Sequence, residues 1–380
     1  MSSFAVTLEK ITVRQHPNAD RLELARVGLF DAVVGKDQFK TGDVVLYIPE
    51  QAILPNRLIR ELGLEGKLSG KEKNRVKAVS LRGALSQGIV APLSIISTFP
   101  EDNHYTGIID ALKTAGSETL SAYDFAPALG ITKWEPEIPD YMKGDITPAT
   151  NILKWVDIEN IKRFPDIFTQ GDKVTVTEKV HGVCLMATLT IVDGAVSDVV
   201  VASKGYGDKR IAFAPNNDNL YWRAVNGYKV RELATELANH YGEQVQSVGI
   251  YGEVFGRGIQ DLGYGAPGKQ GVPGFAVFDA YIKLNDGTGF WVPSPVLRGV
   301  NTDIPQVPVL FEGTYDIEHI AQIASGKEQV SGTEANLREG VVIRSSDESR
   351  WVDMFGNGHR KIAKFVTEEY LTRKGGTEYQ

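Results

Sequence analysis

The pattern of apolar and polar positions divides the chain into two parts. Up to about residue 100, short segments rich in Val, Ile and Leu alternate with Gly, Asp, Asn and Pro, which is typical of strands joined by turns. Five or six such strands, with one helical insert near residues 56–63, predict a small closed β-barrel. The segments are AVTLEKITVR, LELARVG, DAVVG, DVVLYIP, RVKAVSLRG and GIVAPL.

The later part of the chain, from about residue 146, mixes strand-like segments with single helices. Apolar residues at positions i, i+3, i+4 and i+7 predict one amphipathic helix, which Gly242 can end in a left-handed conformation. These apolar residues are Val230, Leu233, Ala234 and Leu237. Strands joined by turns, with helices inserted singly, indicate an antiparallel α+β domain rather than a doubly wound one. We therefore predict a β-barrel module (1–100), a Pro-rich acidic linker (101–145) and an α+β domain (146–380).

Length and composition narrow the class of protein. A chain of 380 residues usually needs more than one core, and its 42% hydrophobic and 23% charged residues are ordinary for a globular protein. No apolar run approaches the roughly 20 residues that span a bilayer, and the first residues do not resemble a secretory signal. A single cysteine, Cys184, excludes an internal disulfide framework and a Cys-rich zinc site. We expect a monomeric protein in the cytoplasm, without membrane contacts.

The distribution of charged residues predicts that any contact with nucleic acid involves one local surface rather than the whole chain. The net charge of −7 argues against a globally basic nucleic-acid coat protein, yet phosphate contacts need only a local patch. A stretch of this kind is either a solvated face or a phosphate-binding surface. Basic residues crowd one short stretch: Arg57, Arg60, Lys67, Lys71, Lys73, Arg75, Lys77 and Arg82.

Several familiar chemistries have no matching motif in this sequence. There is no GxxxxGK[ST] phosphate loop and no HExxH zinc motif. The sequence Gly256-Arg257-Gly258 lacks the third glycine of a dinucleotide fingerprint. His181 and Cys184 lack a third group to orient them, which argues against a thiol nucleophile.

Lys179 is the residue around which the remaining motifs are arranged. It follows an alternating strand and precedes a glycine turn in TEKVHG; taken alone, such a lysine is usually an exposed hairpin residue. Five further segments follow it, several of which place a carboxylate or a lysine at the end of a strand. They are SKG (203–205), YGEVFGRGIQ (251–260), FAVFD (275–279), EGVVIR (339–344) and KIAKF (361–365).

In this order the segments resemble motifs I, Ia, III, IIIa, IV and V of the covalent nucleotidyltransferase superfamily of polynucleotide ligases and capping enzymes. Within it, KxHG, GExxGxGIQ and FxxFD look like the RNA ligases, whereas DNA ligases usually read KxDG at motif I. The segments HPNADRLEL and LRGALSQGIVAPL, with the basic stretch between them, resemble the OB-type module that precedes the catalytic domain in Naegleria/Deinococcus-type RNA ligases. The resemblance covers nearly the whole chain.

The resemblance implies an ATP-dependent RNA ligase for RNA repair, which joins 3′-hydroxyl and 5′-phosphate ends through lysyl-AMP and RNA-adenylate intermediates. Lys179 would attack the α-phosphorus of ATP, which requires a neutral amine. Desolvation and the nearby charges of Lys364 and Lys204 would disfavour the protonated amine, and the same charges would neutralise phosphate. Glu253 and Glu339 carry oxygens suited to Mg²⁺ or Mn²⁺, bound directly or through water, and one of them could hold the ribose instead.

The resemblance also assigns roles to residues around the nucleotide. Phe278 would stack on adenine, although it could simply pack in a core, and the backbone carbonyl of Glu178 would read the adenine amino group. Lys204 would bind the 5′-phosphate. Asp279 could cap or orient a neighbour rather than bind metal. The other expected contacts are Gly182 and Lys361 for the nucleotide, His181 and Gln260 for the later steps, and Lys73, Arg75, Lys77 and Arg82 for nucleic acid.

Two departures from the family pattern and two rival functions remain. Val183 and Cys184 replace the hydroxyl and amide residues that often follow motif I, and Ile362 replaces the first lysine of motif V.

One rival function is that of a DNA ligase or a capping enzyme, which typically carries its OB domain after motif V, where this sequence has only residues 365–380. The other is that of a non-catalytic tRNA- or RNA-binding protein. The sequence leaves open whether the RNA ends belong to a duplex nick with an RNA 3′-hydroxyl, a broken tRNA loop or free strands.

Overall fold

The computed structural model describes residues 4–98, 104–135, 145–268, 271–300, 303–347, 349–353 and 355–373. The chain forms two compact units, neither of which is continuous in sequence. The first unit comprises Met1–Glu135, Glu159–Ile167 and Arg350–Lys361. The second unit comprises Pro136–Ile158, Phe168–Ser349 and Ile362–Gln380.

Short strands dominate the secondary structure up to residue 160. The elements are β1 (Thr7–Lys10), β2 (Thr12–Gln15), β3 (Leu22–Val27), β4 (Phe30–Gly35), β5 (Val44–Ile48), β6 (Ala52–Ile53), α1 (Asn56–Glu61), β7 (Val79–Leu81), β8 (Ala84–Ser86), β9 (Ile89–Ala91), α2 (Ser94–Thr98), α3 (His104–Ala115), β10 (Thr132–Lys133), β11 (Ile146–Pro148) and β12 (Glu159–Asn160).

Longer strands and single helices follow residue 160. Turns of 3₁₀ helix lie at Ser117–Ala122, between α3 and β10, and at Pro165–Ile167, between β12 and the next strand. The elements are β13 (Lys173–Lys179), β14 (Val183–Val192), β15 (Ala195–Ser203), α4 (Lys204–Asp208), β16 (Ile211–Phe213), α5 (Leu220–Gly227), α6 (Val230–Tyr241), β17 (Val245–Phe255), β18 (Gly274–Leu284), β19 (Gly289–Trp291), α7 (Ser294–Gly299), β20 (Val309–Thr314), α8 (Ile317–Ala324), β21 (Gly340–Ser345), β22 (Arg350–Val352), β23 (Gly358–Arg360), β24 (Ile362–Val366) and α9 (Glu368–Thr372).

Two three-stranded antiparallel sheets, β1-β5-β9 and β2-β3-β4, form the centre of the first unit. The chain bends at the buried residue Ile11, so that β1 pairs with β5 while β2 pairs with β3. Alternating burial along β4 shows why its apolar residues form a strand: every second side chain enters the core. The prediction of short strands is confirmed here. The strand pairings of the described residues do not by themselves show the predicted closure into a barrel.

The range predicted as a linker, 101–145, contains the helix α3 and part of a core. Ile109, Leu120, Phe125 and Leu129 are buried in one cluster with strand residues of the first unit. Because so many apolar side chains are covered, this stretch contributes to folding of that unit rather than only connecting domains. Tyr141, a further residue of the predicted linker, lies outside the described residues.

Two segments that are distant in sequence complete the first unit. The amide of Leu29 donates to the carbonyl of Lys162 at 2.6 Å. Arg163 donates to Thr7 Oγ1 at 3.0 Å and pairs with Glu9. The Phe164 ring lies 6.3 Å from the ring of Trp351, on the β22–β23 hairpin. Dividing the chain at residue 145 alone would therefore separate Glu159–Ile167 and Arg350–Lys361 from the rest of the first unit.

The second unit contains two antiparallel sheets. One has the strand order β11-β16-β15-β14-β17-β18-β19, and the other includes β24-β21-β13-β20. The predicted helix is confirmed as α6, whose four apolar positions are fully buried and which ends at Gly242 with φ of 89°. The antiparallel α+β class is thereby confirmed. Across the described part of the chain, every helix is too short or too polar to cross a membrane.

Candidate active site

The ends of two neighbouring strands bring Lys179 and Glu339 together. Lys179 is the last residue of β13 and lies opposite Gly340, the first residue of β21. Its Nζ is 2.5 Å from Oε1 of Glu339, whose side chain is only 1% exposed. A side chain at Gly340 would meet the carbonyl oxygen of Phe365 at 2.0 Å, so only glycine lets the strands approach this closely. The register of this sheet thus fixes the ion pair.

Glu253 lies on β17 and adds a second carboxylate to this site. The amide of Gly182 donates a hydrogen bond to its carboxylate. A side chain at Gly182 would meet the carbonyl oxygen of Val254 at 2.3 Å, which explains the glycine of motif I. Burial raises the pKa of Glu253 to about 8, and the negative charge of Glu339 adds to this, while Lys179 opposes it. A positive charge that neutralises these carboxylates would therefore be favourable.

Two further lysines contribute positive charge to the same site. Lys364, on β24, lies opposite Val342 of β21. Burial lowers the pKa of Lys364, and the charge of Lys179 lowers it further. Lys204 begins α4 and forms an ion pair with Asp157. The structure thus brings together the four residues predicted as catalytic, which are Lys179, Glu253, Glu339 and Lys364. It adds Asp157, which the motifs did not reveal.

The side chain of Glu178 points away from Lys179, because neighbouring residues of a strand face opposite sides. It is 1% exposed, and its Oε2 accepts a hydrogen bond from the amide of Gln329 at 2.7 Å. Its Oε1 has no hydrogen-bond partner among the residues that the structure describes. Nε of Arg338 lies 3.7 Å from Oε2 of Glu178. Burial raises the pKa of Glu178 to about 7 despite the Gln329 bond and the Arg338 charge.

Phe278 lies on β18, half-buried, with the ring of Trp155 against it at 5.3 Å in an edge-to-face arrangement. The next residue, Asp279, is fully buried and accepts a hydrogen bond from Trp155 Nε1 at 3.2 Å. Arg344 lies 3.4 Å from the same carboxylate. These contacts are consistent with the expectation that Asp279 orients a neighbouring side chain, and that role stays a prediction.

His181 and Gln260 lie at the turn that follows Lys179. His181 is buried and contacts Asp261 at 2.9 Å through Nε2, Tyr370 at 2.7 Å through Nδ1 and Glu339 at 3.8 Å. Burial lowers its pKa, although Glu339 and Asp261 oppose this. Gln260 donates from its amide nitrogen to the carbonyl oxygen of Gly182. Gln260 therefore holds the motif I turn from the glycine-rich loop.

The predicted nucleic-acid residues of the first unit differ in accessibility. Lys73 and Arg82 are exposed, both with positive φ, and Lys77 is half-buried. Arg75 is buried, with its guanidinium 3.4 Å above the ring of Trp134. The prediction of Arg75 as a phosphate contact does not fit this placement, because a cation packed on an indole ring supports the local fold instead.

Lys361 and Cys184 complete the set of residues that the sequence singled out. Lys361 is half-buried, precedes β24 and belongs to the first compact unit, so its nucleotide role stays a prediction. Cys184 faces Glu253 across the β14–β17 pair. Burial and the charge of Glu253 raise the pKa of the Cys184 thiol, which disfavours a thiolate and agrees with the rejection of a cysteine nucleophile.

Comparisons with known proteins identify the family and the fold. The RNA ligase family matches residues 172–366, which is slightly more than half of the chain, and an OB-fold domain family matches residues 5–93. The chain therefore belongs to the RNA ligase family, with an OB-fold domain at its amino-terminal end. No curated protein matches the sequence significantly.

Solved structures of Naegleria gruberi RNA ligase share the fold over nearly the full length of both chains. The structure with PPi is 22% identical, with a TM-score of 0.68, and the match covers 97% of this chain and 98% of that chain. A mutant with ATP and Mn gives the same identity, coverage and TM-score. Another mutant, with AMP and Mn, is 21% identical with a TM-score of 0.67 and the same coverage.

The unusual environment of Glu178 predicts a pH-dependent stability. Its pKa rises from 4.5 to about 7 on folding, so its favourable contribution is present below pH 4.5 and is lost as pH rises through 7. Glu178→Gln should therefore raise the free energy of unfolding at pH 8, by on the order of 1 to 3 kcal/mol, and change it little at pH 5. Urea unfolding at both pH values measures this difference. The control is Glu318→Gln, at an exposed carboxylate; equal effects of the two variants would contradict the prediction.

Proposed function

We propose that the chain is an ATP-dependent RNA ligase that joins 3′-hydroxyl and 5′-phosphate ends through AMP bound covalently to Lys179. The observation that carries this proposal is the contact of Lys179 with buried Glu339, in a site where Glu253 and Lys364 also act electrostatically. Only a neutral amine can attack phosphorus, and Glu339 Oε1 is close enough to accept the proton from Nζ. Naegleria gruberi RNA ligase, which shares the fold, has been solved with ATP and Mn.

Three transfers make up the reaction. The Nζ of Lys179 forms a bond to the α-phosphorus of ATP as the bond to pyrophosphate breaks. A 5′-phosphate oxygen of RNA then takes the AMP from the lysine, which gives an RNA-adenylate. The 3′-hydroxyl of the other strand finally attacks the 5′-phosphorus, and AMP leaves. Lys364 and Lys204 provide positive charge for the phosphate groups, as their positions in the site support.

Glu253 and Glu339 fit a magnesium or manganese ion. The described residues contain no cluster of three His, Cys, Asp or Glu side chains that would enclose an ion. Magnesium typically binds through one or two carboxylates, with waters and substrate phosphates completing its shell, and two carboxylates are what the site offers. The raised pKa of Glu253 also fits a position that a cation would stabilise. Such an ion would polarise the phosphate during transfer.

The other parts of the predicted site support nucleotide and RNA binding. Phe278 offers a ring for adenine, and the ring of Trp155 packs against it edge-to-face. The exposed cations Lys73 and Arg82 are suited to RNA phosphates. We propose RNA ends as the substrate, in RNA repair. Sealing assays can distinguish among a duplex nick, a broken tRNA loop and free ends. The cytoplasmic location, the monomeric state and the domain boundaries stay predictions.

The role of Lys179 is tested by labelling the full chain with ATP that carries a radioactive α-phosphate. Lys179→Ala should abolish labelling because it removes the attacking amine. Lys179→Arg should also abolish it, since a guanidinium stays protonated up to a pH of about 12. Lys173→Ala is the matched control, because Lys173 is exposed at the other end of the same strand. Labelling that persists in either Lys179 variant would refute the proposal.

The role of the carboxylates is tested by measuring the adenylation rate at several Mn²⁺ concentrations. Glu253→Gln and Glu339→Gln should each lower the rate by on the order of 10²-fold or more, because the amide keeps the shape but loses the charge. Glu312→Gln, at an exposed carboxylate of the same unit, is the control. Near-normal rates in the two site variants would mean that neither carboxylate holds a cation.

The RNA-binding role of the first unit is tested by charge reversal in the full chain. Lys73→Glu with Arg82→Glu should weaken RNA binding and reduce the slope of log affinity against log salt by about 1 to 2, since each lost phosphate contact contributes about 0.7 to 0.9. The double variant Lys10→Glu with Lys113→Glu changes the net charge equally at exposed positions outside the basic stretch. The same loss in both double variants would show a general charge effect and no specific surface.

A further inference from the structure

A closed network of side chains surrounds His181 and reaches the helix α9. A carboxylate only accepts hydrogen bonds, so the 2.9 Å contact with Asp261 assigns the donated proton to Nε2 of His181. With Nε2 protonated in the neutral ring, Nδ1 accepts from the Tyr370 hydroxyl at 2.7 Å. The backbone amide of His181 donates to the Tyr264 hydroxyl at 2.9 Å. The ring therefore has a single orientation.

Helix α9 is itself tied to Glu339. The amide and the hydroxyl of Thr367, the residue that caps this helix, both donate to the backbone carbonyl of Glu339, at 3.0 and 3.2 Å. The same hydroxyl accepts from the amide of Tyr370 at 3.3 Å. Tyr370 is thus placed by the residue whose carboxylate binds Lys179, and it is completely buried.

Arg373 closes the network from the other side. Its guanidinium forms two bonds to the carboxylate of Asp261, at 2.8 and 3.0 Å, and stacks 3.6 Å above the ring of Tyr370. Paired bonds of this kind fix a carboxylate in orientation as well as in position. Asp261 and Tyr370 therefore hold His181 from opposite ring nitrogens, and one arginine holds both.

We propose that Tyr370 and Asp261 are positioning residues for the adenylation step, acting through His181. His181 Nδ1 lies 3.8 Å from Oε2 of Glu339, and the other oxygen of that carboxylate is 2.5 Å from Nζ of Lys179. An immobile ring behind Glu339 limits the orientations of the carboxylate, and thereby those of the attacking amine. Neither Tyr370 nor Asp261 touches the reacting atoms. This inference rests on Lys179 as the nucleophile.

The test is a double-mutant cycle on the full chain, with the rate of single-turnover adenylation and the KM for ATP as measurements. Tyr370→Phe should lower the rate roughly tenfold, which is within the range for losing one well-placed hydrogen bond, and leave the KM nearly unchanged. In a His181→Ala background the same change should alter the rate less than about twofold, because the residue through which Tyr370 acts is gone. Thr372→Ala, on the same helix, is the control.

Asp261→Asn provides a second, independent cycle with the same expected pattern, and His181→Gln provides a second background should His181→Ala not fold. An unchanged rate in both Tyr370→Phe and Asp261→Asn would overturn the inference. Equal losses with and without His181 would also overturn it, because they would show a general structural effect. Continued labelling of Lys179→Ala would instead refute the proposed nucleophile, so the two failures can be told apart.

Discussion

The ion pair between Lys179 and Glu339 is the interaction on which the site depends. It exists because β13, β21 and β24 pair in one register, with Lys179 opposite Gly340. A one-residue slip of β13 would turn Lys179 to the other face of the sheet. The absence of a side chain at Gly340 lets β24 approach, and β24 carries Lys364. The same backbone pairing that stabilises the fold therefore places Lys179, its carboxylate partner Glu339 and a second lysine, Lys364.

Opposite charges balance one another in this buried site. Burying a carboxylate or an amine alone is costly, and the shifts at Glu253 and Lys364 show that cost as a preference for the neutral forms. Lysines reduce the cost for the carboxylates, while the carboxylates reduce it for the lysines. A nucleotide triphosphate with a divalent cation brings charges of both signs into such a site. The site is thereby suited to bind the nucleotide and the cation together.

Residues in ordered motifs are easier to predict from the sequence than residues that depend on long-range contacts. The series of motifs singled out Lys179, Glu253 and Glu339, and the structure places them close together, with Glu253 inside β17 and the other two at or beside strand ends. Asp261, Tyr370 and Asp157 were missed, since their contacts with His181 and Lys204 join positions far apart in the chain, and no local pattern indicates them. Arg75 was misassigned for the same reason: a basic stretch does not reveal which cation packs against Trp134. The helix α3 was likewise hidden in a stretch with weak periodicity.

Peptide mapping by mass spectrometry after incubation with ATP and Mn²⁺ can detect the proposed covalent intermediate on Lys179. We expect one adenylyl group per chain, on the peptide that contains Lys179, and its release when pyrophosphate is added. Fragmentation of that peptide should place the added mass on Lys179. An adenylyl group found on Lys204 or Lys364 instead, or no adduct in a preparation that seals RNA with ATP, would show that Lys179 is not the nucleophile.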